Sequence, residues 1–268
     1  MMKPYLSVFR LRISNGLQYR AAALAGVGTQ FFFGFIFIMI FQAFYAHASE
    51  APSMTLSQVI TYTWLKQAFL ALIVLWLRDN ELFQLITSGN IAYELCRPSE
   101  IYGLWYAKLL AQRLSSALLR CFPILIVVGF LPEPYRLQLP PDFVSGLLFL
   151  ATLLIGLLMI VALSMLIYIS VFVTMSPAGS LLLFSIFGEF FAGLIIPVPL
   201  MPDWMQKIVY ILPFHWTADF PFRVFTGNIS KTEALTGILA QCLWLAALIL
   251  FGKFTMDRAL KRVVVQGG

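Results

Sequence analysis

The chain has 268 residues, of which 60% are hydrophobic, 15% aromatic and only 11% charged, with 18 Lys and Arg against 12 Asp and Glu. A water-facing globular domain carries about 25% charged residues, so this composition excludes a soluble domain and indicates a polytopic, all-helical membrane protein. At about 20 apolar residues per crossing helix, the chain holds roughly six spans in one transmembrane domain over 1–268 and leaves no room for a self-sufficient nucleotide-hydrolysing module.

In chain order, Leu6, Phe9, Ile13 and Leu17 share one helical face and Ser7, Arg10, Ser14 and Gln18 another, which predicts an interfacial helix within 1–20. This stretch is longer than the basic start of a signal peptide, so the first span is expected to stay in the membrane. Spans are predicted over 21–46 and 56–77, the second closed by Arg78-Asp79-Asn80-Glu81, with His47 and Glu50 in the polar loop between them.

The segment 78–100 is too polar and short to cross, yet it carries Leu82, Phe83, Leu85 and Ile86 at helical spacing before Gly89, a natural helix stop, and Pro98, another. A third helix is predicted over 99–131; at about 1.5 Å per residue it outruns the bilayer core, so its first turns, with Lys108 and Arg113, are expected in water or headgroups. After the Pro-rich loop 132–142 come spans over 143–173 and 180–196. The stretch 197–231 is apolar but broken by Pro197, Pro199, Pro202, Pro213 and Pro221, and reads as an external segment that dips in without crossing. The last span covers 232–251, and a basic tail follows.

With six spans and the N-terminus inside, twelve basic residues fall in the N-terminal helix, the 78–113 region and the tail, whereas Arg136, Lys207, Arg223 and Lys231 fall outside. Lys/Arg bias therefore predicts both termini on the cytoplasmic side of the cell membrane, and the positive charge is read as topology rather than as nucleic-acid binding. Cys96, Cys121 and Cys242 form neither a disulfide framework nor a metal spacing. With two histidines, His47 and His215, no His-based metal site is expected. No G-x-S-x-G and no phosphate-binding loop occurs, so the chain reads as a transport subunit and not an enzyme.

The order of parts (interfacial helix, two spans, amphipathic cytoplasmic segment, three spans, broken external segment, last span) resembles the ABC-2 type permeases, the membrane subunits of ATP-binding-cassette exporters. The likeness runs over essentially the whole chain. Locally it rests on ITSGNIAYELCRP at 86–98, on GLIIP at 193–197 with Pro202-Asp203-Trp204, and on LPFHW at 212–216 followed by Pro221 to Gly227. The resemblance implies half of a dimer, formed with a copy or a sister permease, working on two ATPase subunits that hold ATP and Mg; this chain would bind no cofactor itself. It maps the coupling helix to 79–88, with Leu82, Phe83, Leu85, Ile86 and Gly89 as the ATPase-facing set. An apolar stripe on a short cytoplasmic helix needs a cover, either a groove on an ATPase or the lipid headgroups.

Lys66 and Glu189 are ionisable groups inside spans, which suggests function. Counted at the helical rise, they lie about 18 Å and about 16 Å from the cytoplasmic side. Matching depth predicts that they pair, within one subunit or across the dimer, and the resemblance implies that their helices line the translocation path; the alternatives are independent snorkelling, or an ion or proton relay in a secondary transporter. That transporter would be expected to show midplane breaks and an internal repeat. Arg120 is expected to snorkel to the cytoplasmic interface. His215, Trp216, Asp219 and Arg223 read either as an external gate or as an interfacial belt of aromatics and charges. The sequence carries no substrate code: drug, peptide, lipid and glycan cargoes all suit this shape.

Overall fold

The computed structural model describes residues 3–48, 51–96 and 99–262; Glu50, the Arg97-Pro98 pair and the final six residues lie outside them. The described residues contain helices and no strand, in the order α1 (Lys3–Gly16), α2 (Arg20–Ala46), α3 (Leu56–Ala68), α4 (Leu70–Ile73), α5 (Asn80–Thr87), α6 (Ile91–Leu95), α7 (Ile101–Gly129), α8 (Phe143–Thr174), α9 (Pro177–Phe191), α10 (Asp203–Ile211), α11 (Asp219–Phe225) and α12 (Lys231–Leu260). Among the described residues, α2, α7, α8 and α12 are long and apolar enough to cross a membrane, and α9 is a shorter apolar helix. The chain is a membrane protein.

Helix starts follow local chemistry. Thr55 and Gln58 form a reciprocal capping box at α3, and Ser230 and Glu233 another at α12. Asp79 caps α5 by accepting from Glu81 N and Leu82 N, and Asp142 caps α8 by accepting from Ser145 N. Helix α9 opens with Pro177 at its first position and closes in a Schellman turn. Gly193, at φ +76°, lets Leu194 N reach Glu189 O (3.0 Å) while Gly193 N reaches Phe190 O (3.2 Å).

Helix α8 is apolar on every side, and such a helix belongs inside a bundle. It is the most buried of the four long helices, with α12, α11, α9, α7 and α5 packed around it. Gln241 of α12 crosses to α8 and donates to Thr152 O (3.0 Å) and to Trp216 O (2.8 Å). Polar ties gather at two ends of the bundle. At one, Arg12 reaches Asp79 and Glu81, Lys108 lies 3.9 Å from Glu81 and 3.8 Å from Glu94, and Lys253 pairs with Glu100 at 3.0 Å. At the other, Lys231 meets Asp142 at 2.8 Å, Ser53 Oγ donates to Pro199 O, and Asn228 Nδ2 donates to Ser53 O.

Several expectations are corrected. The predicted second span is two helices: α3 stops at Ala68, α4 adds one short turn, and Val74 is already extended. Lys108 and Arg113 do not project into water but are buried. Arg113, 1% exposed, donates to Val74 O (2.6 Å), Ala71 O (3.4 Å) and Ser164 Oγ (2.9 Å). Its cation thus sits on the carbonyls that end α4, where the helix dipole is negative.

Candidate functional site

Helix α5 forms where the sequence places it, but its apolar stripe is not exposed. Leu82, Phe83 and Ile86 are buried within the chain itself. The Phe83 ring lies on Tyr168 of α8, centroids 4.4 Å apart, and Asp79 N donates to the same tyrosine's hydroxyl at 2.7 Å. These three residues are therefore corrected from partner contacts to anchors, because α8 supplies the apolar cover that the sequence assigned to a second protein. Leu85 is half-buried, and the face left open carries Glu81, Gln84, Thr87, Ser88 and Gly89, the last at φ +74°.

The external candidates also turn inward. Asp219 is 0% exposed. Its Oδ1 accepts from Val198 N (3.1 Å) and lies 3.2 Å from the Tyr62 hydroxyl, and its Oδ2 faces Arg223 Nη1 at 3.5 Å. Arg223 continues to Asn228 Oδ1 (2.8 Å) and to the Tyr210 hydroxyl (3.1 Å). His215 is buried between Tyr210 and Trp216, with Nδ1 3.1 Å from Leu212 O. Gly193 belongs to this cluster: a Cβ there would stand 2.8 Å from the Tyr62 hydroxyl. Both His215 and Asp219 are buried, and as buried polar groups they find partners, His215 in Leu212 O and Asp219 in Val198 N, Tyr62 and Arg223.

Lys66 and Glu189 line one cavity of about 430 Å³ between α2, α3–α4, α7 and the end of α9. They share this cavity, as their matched depths predict, but within the chain no ion pair within 4.0 Å joins them. Lys66 Nζ instead donates to Leu194 O (3.0 Å), just past the negative C-terminal end of α9, and stands 3.4 Å from the centroid of the Phe37 ring.

Two further residues of the cavity, Arg120 and Gln30, are brought to it by packing that the sequence does not announce. The Arg120 guanidinium lies over Gly26, where a Cβ would approach its Cζ to 2.9 Å. Gln30, one turn beyond Gly26, is 4% exposed, and neither of its amide atoms has a hydrogen-bond partner among the described residues. Gly26 in an apolar run was the one available signal, and only with the knowledge that α7 passes it. No group of three or more potential metal ligands occurs among the described residues.

No protein-family model, curated protein or solved structure matches this chain. The site's own geometry carries the functional reading.

Proposed function

We propose that the chain is the permease subunit of an ATP-driven exporter, working with separate ATPase subunits and a second permease subunit in the cell membrane. The observation that carries this reading is the mounting of α5. A helix that transmits force from an ATPase to membrane spans needs one face fixed to a span and another free. Here Leu82, Phe83 and Ile86 fix one face to α8, Arg12 and Lys108 brace the Asp79–Glu81 start from α1 and α7, and Gln84 and Thr87 remain free.

We propose six crossings, by α2, α3–α4, α7, α8, α9 with the turn after it, and α12, with both termini cytoplasmic. The Lys231–Asp142 contact supports this: it puts the starts of α8 and α12 at one end, so the chain must return across the bundle between Met175 and Lys231. At about 1.5 Å per residue α9 alone falls short of a bilayer core. The return is completed by the turn through Pro197, which leaves α10 and α11 on the outer side.

The test is a photo-crosslinking amino acid at Gln84 in native membranes, with the adducts sequenced. A phosphate-loop ATPase is the expected adduct, and it should be lost when the crosslinker is moved to the buried Leu82. Crosslinks to lipid alone would remove α5 from the coupling role.

A further inference from the structure

The cavity that holds Lys66 and Glu189 has a polar lining arranged as a ladder. On α2, Gly26 with Arg120 above it marks one end, Gln30 lies one turn on, and Phe37 with Lys66 marks the other; from Gly26 to Phe37 is about 16 Å along the helix. Thr29 and Gln67 add polar groups to the lining, the rest of the walls are apolar or aromatic, and three of these residues, Phe33, Trp76 and Ile195, are exposed. The slot therefore opens sideways, where an embedded bundle meets lipid tails.

Its charge is unbalanced. Lys66 and Arg120 face a single carboxylate, Glu189, and no carboxylate stands within ion-pair distance of either cation among the described residues. Arg120 has no hydrogen-bond acceptor among the described residues. Gln30 adds a buried amide whose donor and acceptor are both unused. A buried amide without partners is costly in a folded chain, and a guanidinium is shaped to grip an oxyanion with two parallel N–H groups.

We propose that this slot binds one amphiphile with an oxyanion head, a phosphate or carboxylate. The head is gripped by Arg120 and Gln30 at one end of the ladder, Lys66 adds its positive charge from the other, and the apolar tail leaves sideways past Phe33, Trp76 and Ile195 into the bilayer. The ladder gives such a head polar contacts over much of the bilayer depth while the tail stays in lipid. The proposal names the ligand class for the cavity of an exporter subunit, but the binding step itself needs no ATPase.

Trp76 supplies the probe. The full-length chain is reconstituted in phosphatidylcholine nanodiscs without any ATPase, and its tryptophan fluorescence is titrated with bromine-tailed alkyl phosphate added from water, or with bromine-tailed phosphatidic acid built into the disc. Bromine-tailed alkyl glucoside is the uncharged control. Saturable quenching by a phosphate probe, absent in Trp76→Phe and with the glucoside, is expected. Quenching by phosphatidic acid alone assigns the ligand to the resident bilayer; quenching by the alkyl phosphate as well admits an amphiphile arriving from water.

Arg120→Gln should raise the half-saturating concentration about tenfold or more, the scale of one charge-assisted contact. Gln30→Leu should weaken binding, and Glu189→Gln should tighten it, an outcome that a misfolded variant cannot give. Equal quenching by phosphate and glucoside probes, no saturable quenching by either phosphate, or weaker binding in Glu189→Gln overturns the proposal. Because no ATPase is present, failure here leaves the α5 crosslink untouched, and failure of that crosslink leaves this binding untouched.

Discussion

Two buried polar clusters stand on either side of the end of α9, and they are built on opposite principles. Around Asp219, Oδ1 accepts from Val198 N and lies beside the Tyr62 hydroxyl, while Oδ2, without a hydrogen bond among the described residues, faces the Arg223 cation at 3.5 Å, and Arg223 continues to Asn228. Around Lys66, the groups share a cavity yet leave Gln30 and Arg120 without partners among the described residues. A low-dielectric interior makes a satisfied network rigid and an unsatisfied one expensive. The first cluster is therefore a staple between α3, the turn after α9 and α11, and the second is a place prepared for something else.

The contrast is broken most directly at Asp219. Asp219→Ala strands Val198 N and removes the carboxylate that faces the Arg223 cation, while the Tyr62 hydroxyl keeps Gly193 O (3.0 Å), and a loss of about 3–5 kcal/mol is expected, the scale of removing one partner from a buried ion pair. Thermal unfolding and the monodisperse yield in detergent measure it. A loss no larger than that of Glu189→Gln would show that the two clusters do not differ in kind.

Arg113 comes next. Arg113→Met leaves Val74 O and Ala71 O without their donor, and a loss of about 1–3 kcal/mol is expected in the same unfolding measurement. Arg113→Lys should recover only part of it, since an ammonium cannot span the α4 carbonyls and Ser164 as the guanidinium fork does.

How much of this was legible in the residues depends on range. The helices that became α2, α7, α8 and α12 were readable because a long apolar run is a local property, and α5 because its stripe and its Asp79 start lie within one short segment. Hydropathy does not distinguish lipid from protein as a cover, so the stripe of Leu82, Phe83 and Ile86 reads as a surface for a partner although α8 provides the cover. The same blindness places Lys108 and Arg113 in water or headgroups. The break at Phe69 has no Pro or Gly to announce it. Lys66 and Glu189 could be matched by depth because each sits on one helix with a countable end. Arg120 could not be matched, since what admits it is the missing Cβ of Gly26, far away in the chain.

The third prediction concerns the open cluster. A double-mutant cycle on Lys66→Met and Glu189→Gln should return a coupling below about 1 kcal/mol in unfolding, because Lys66 rests on Leu194 O and the Phe37 ring rather than on the carboxylate. A coupling of about 3 kcal/mol or more, the value for a buried pair, would convert the second cluster into another staple.

The smallest effect tests a third kind of contact, one with water at hand. Asp142, at the start of α8, is held below the usual carboxylate range first by the hydrogen bond from Lys231 and then by that from Ser145 N. Because the folded chain binds this proton less readily than the unfolded one, the contribution is complete above the ordinary Asp value of about 3.9 and disappears as pH falls through the lower folded value. The unfolding midpoint of the wild type should therefore fall slightly more steeply on acidification below about pH 4 than that of Asp142→Asn, with the two curves parallel at neutral pH. Salt should shrink the difference, since exposed charges are screened, whereas it should leave the Asp219 loss unchanged. Equal acid slopes would remove the tie between Lys231 and Asp142, and with it one of the contacts that hold the starts of α8 and α12 at a single end of the bundle.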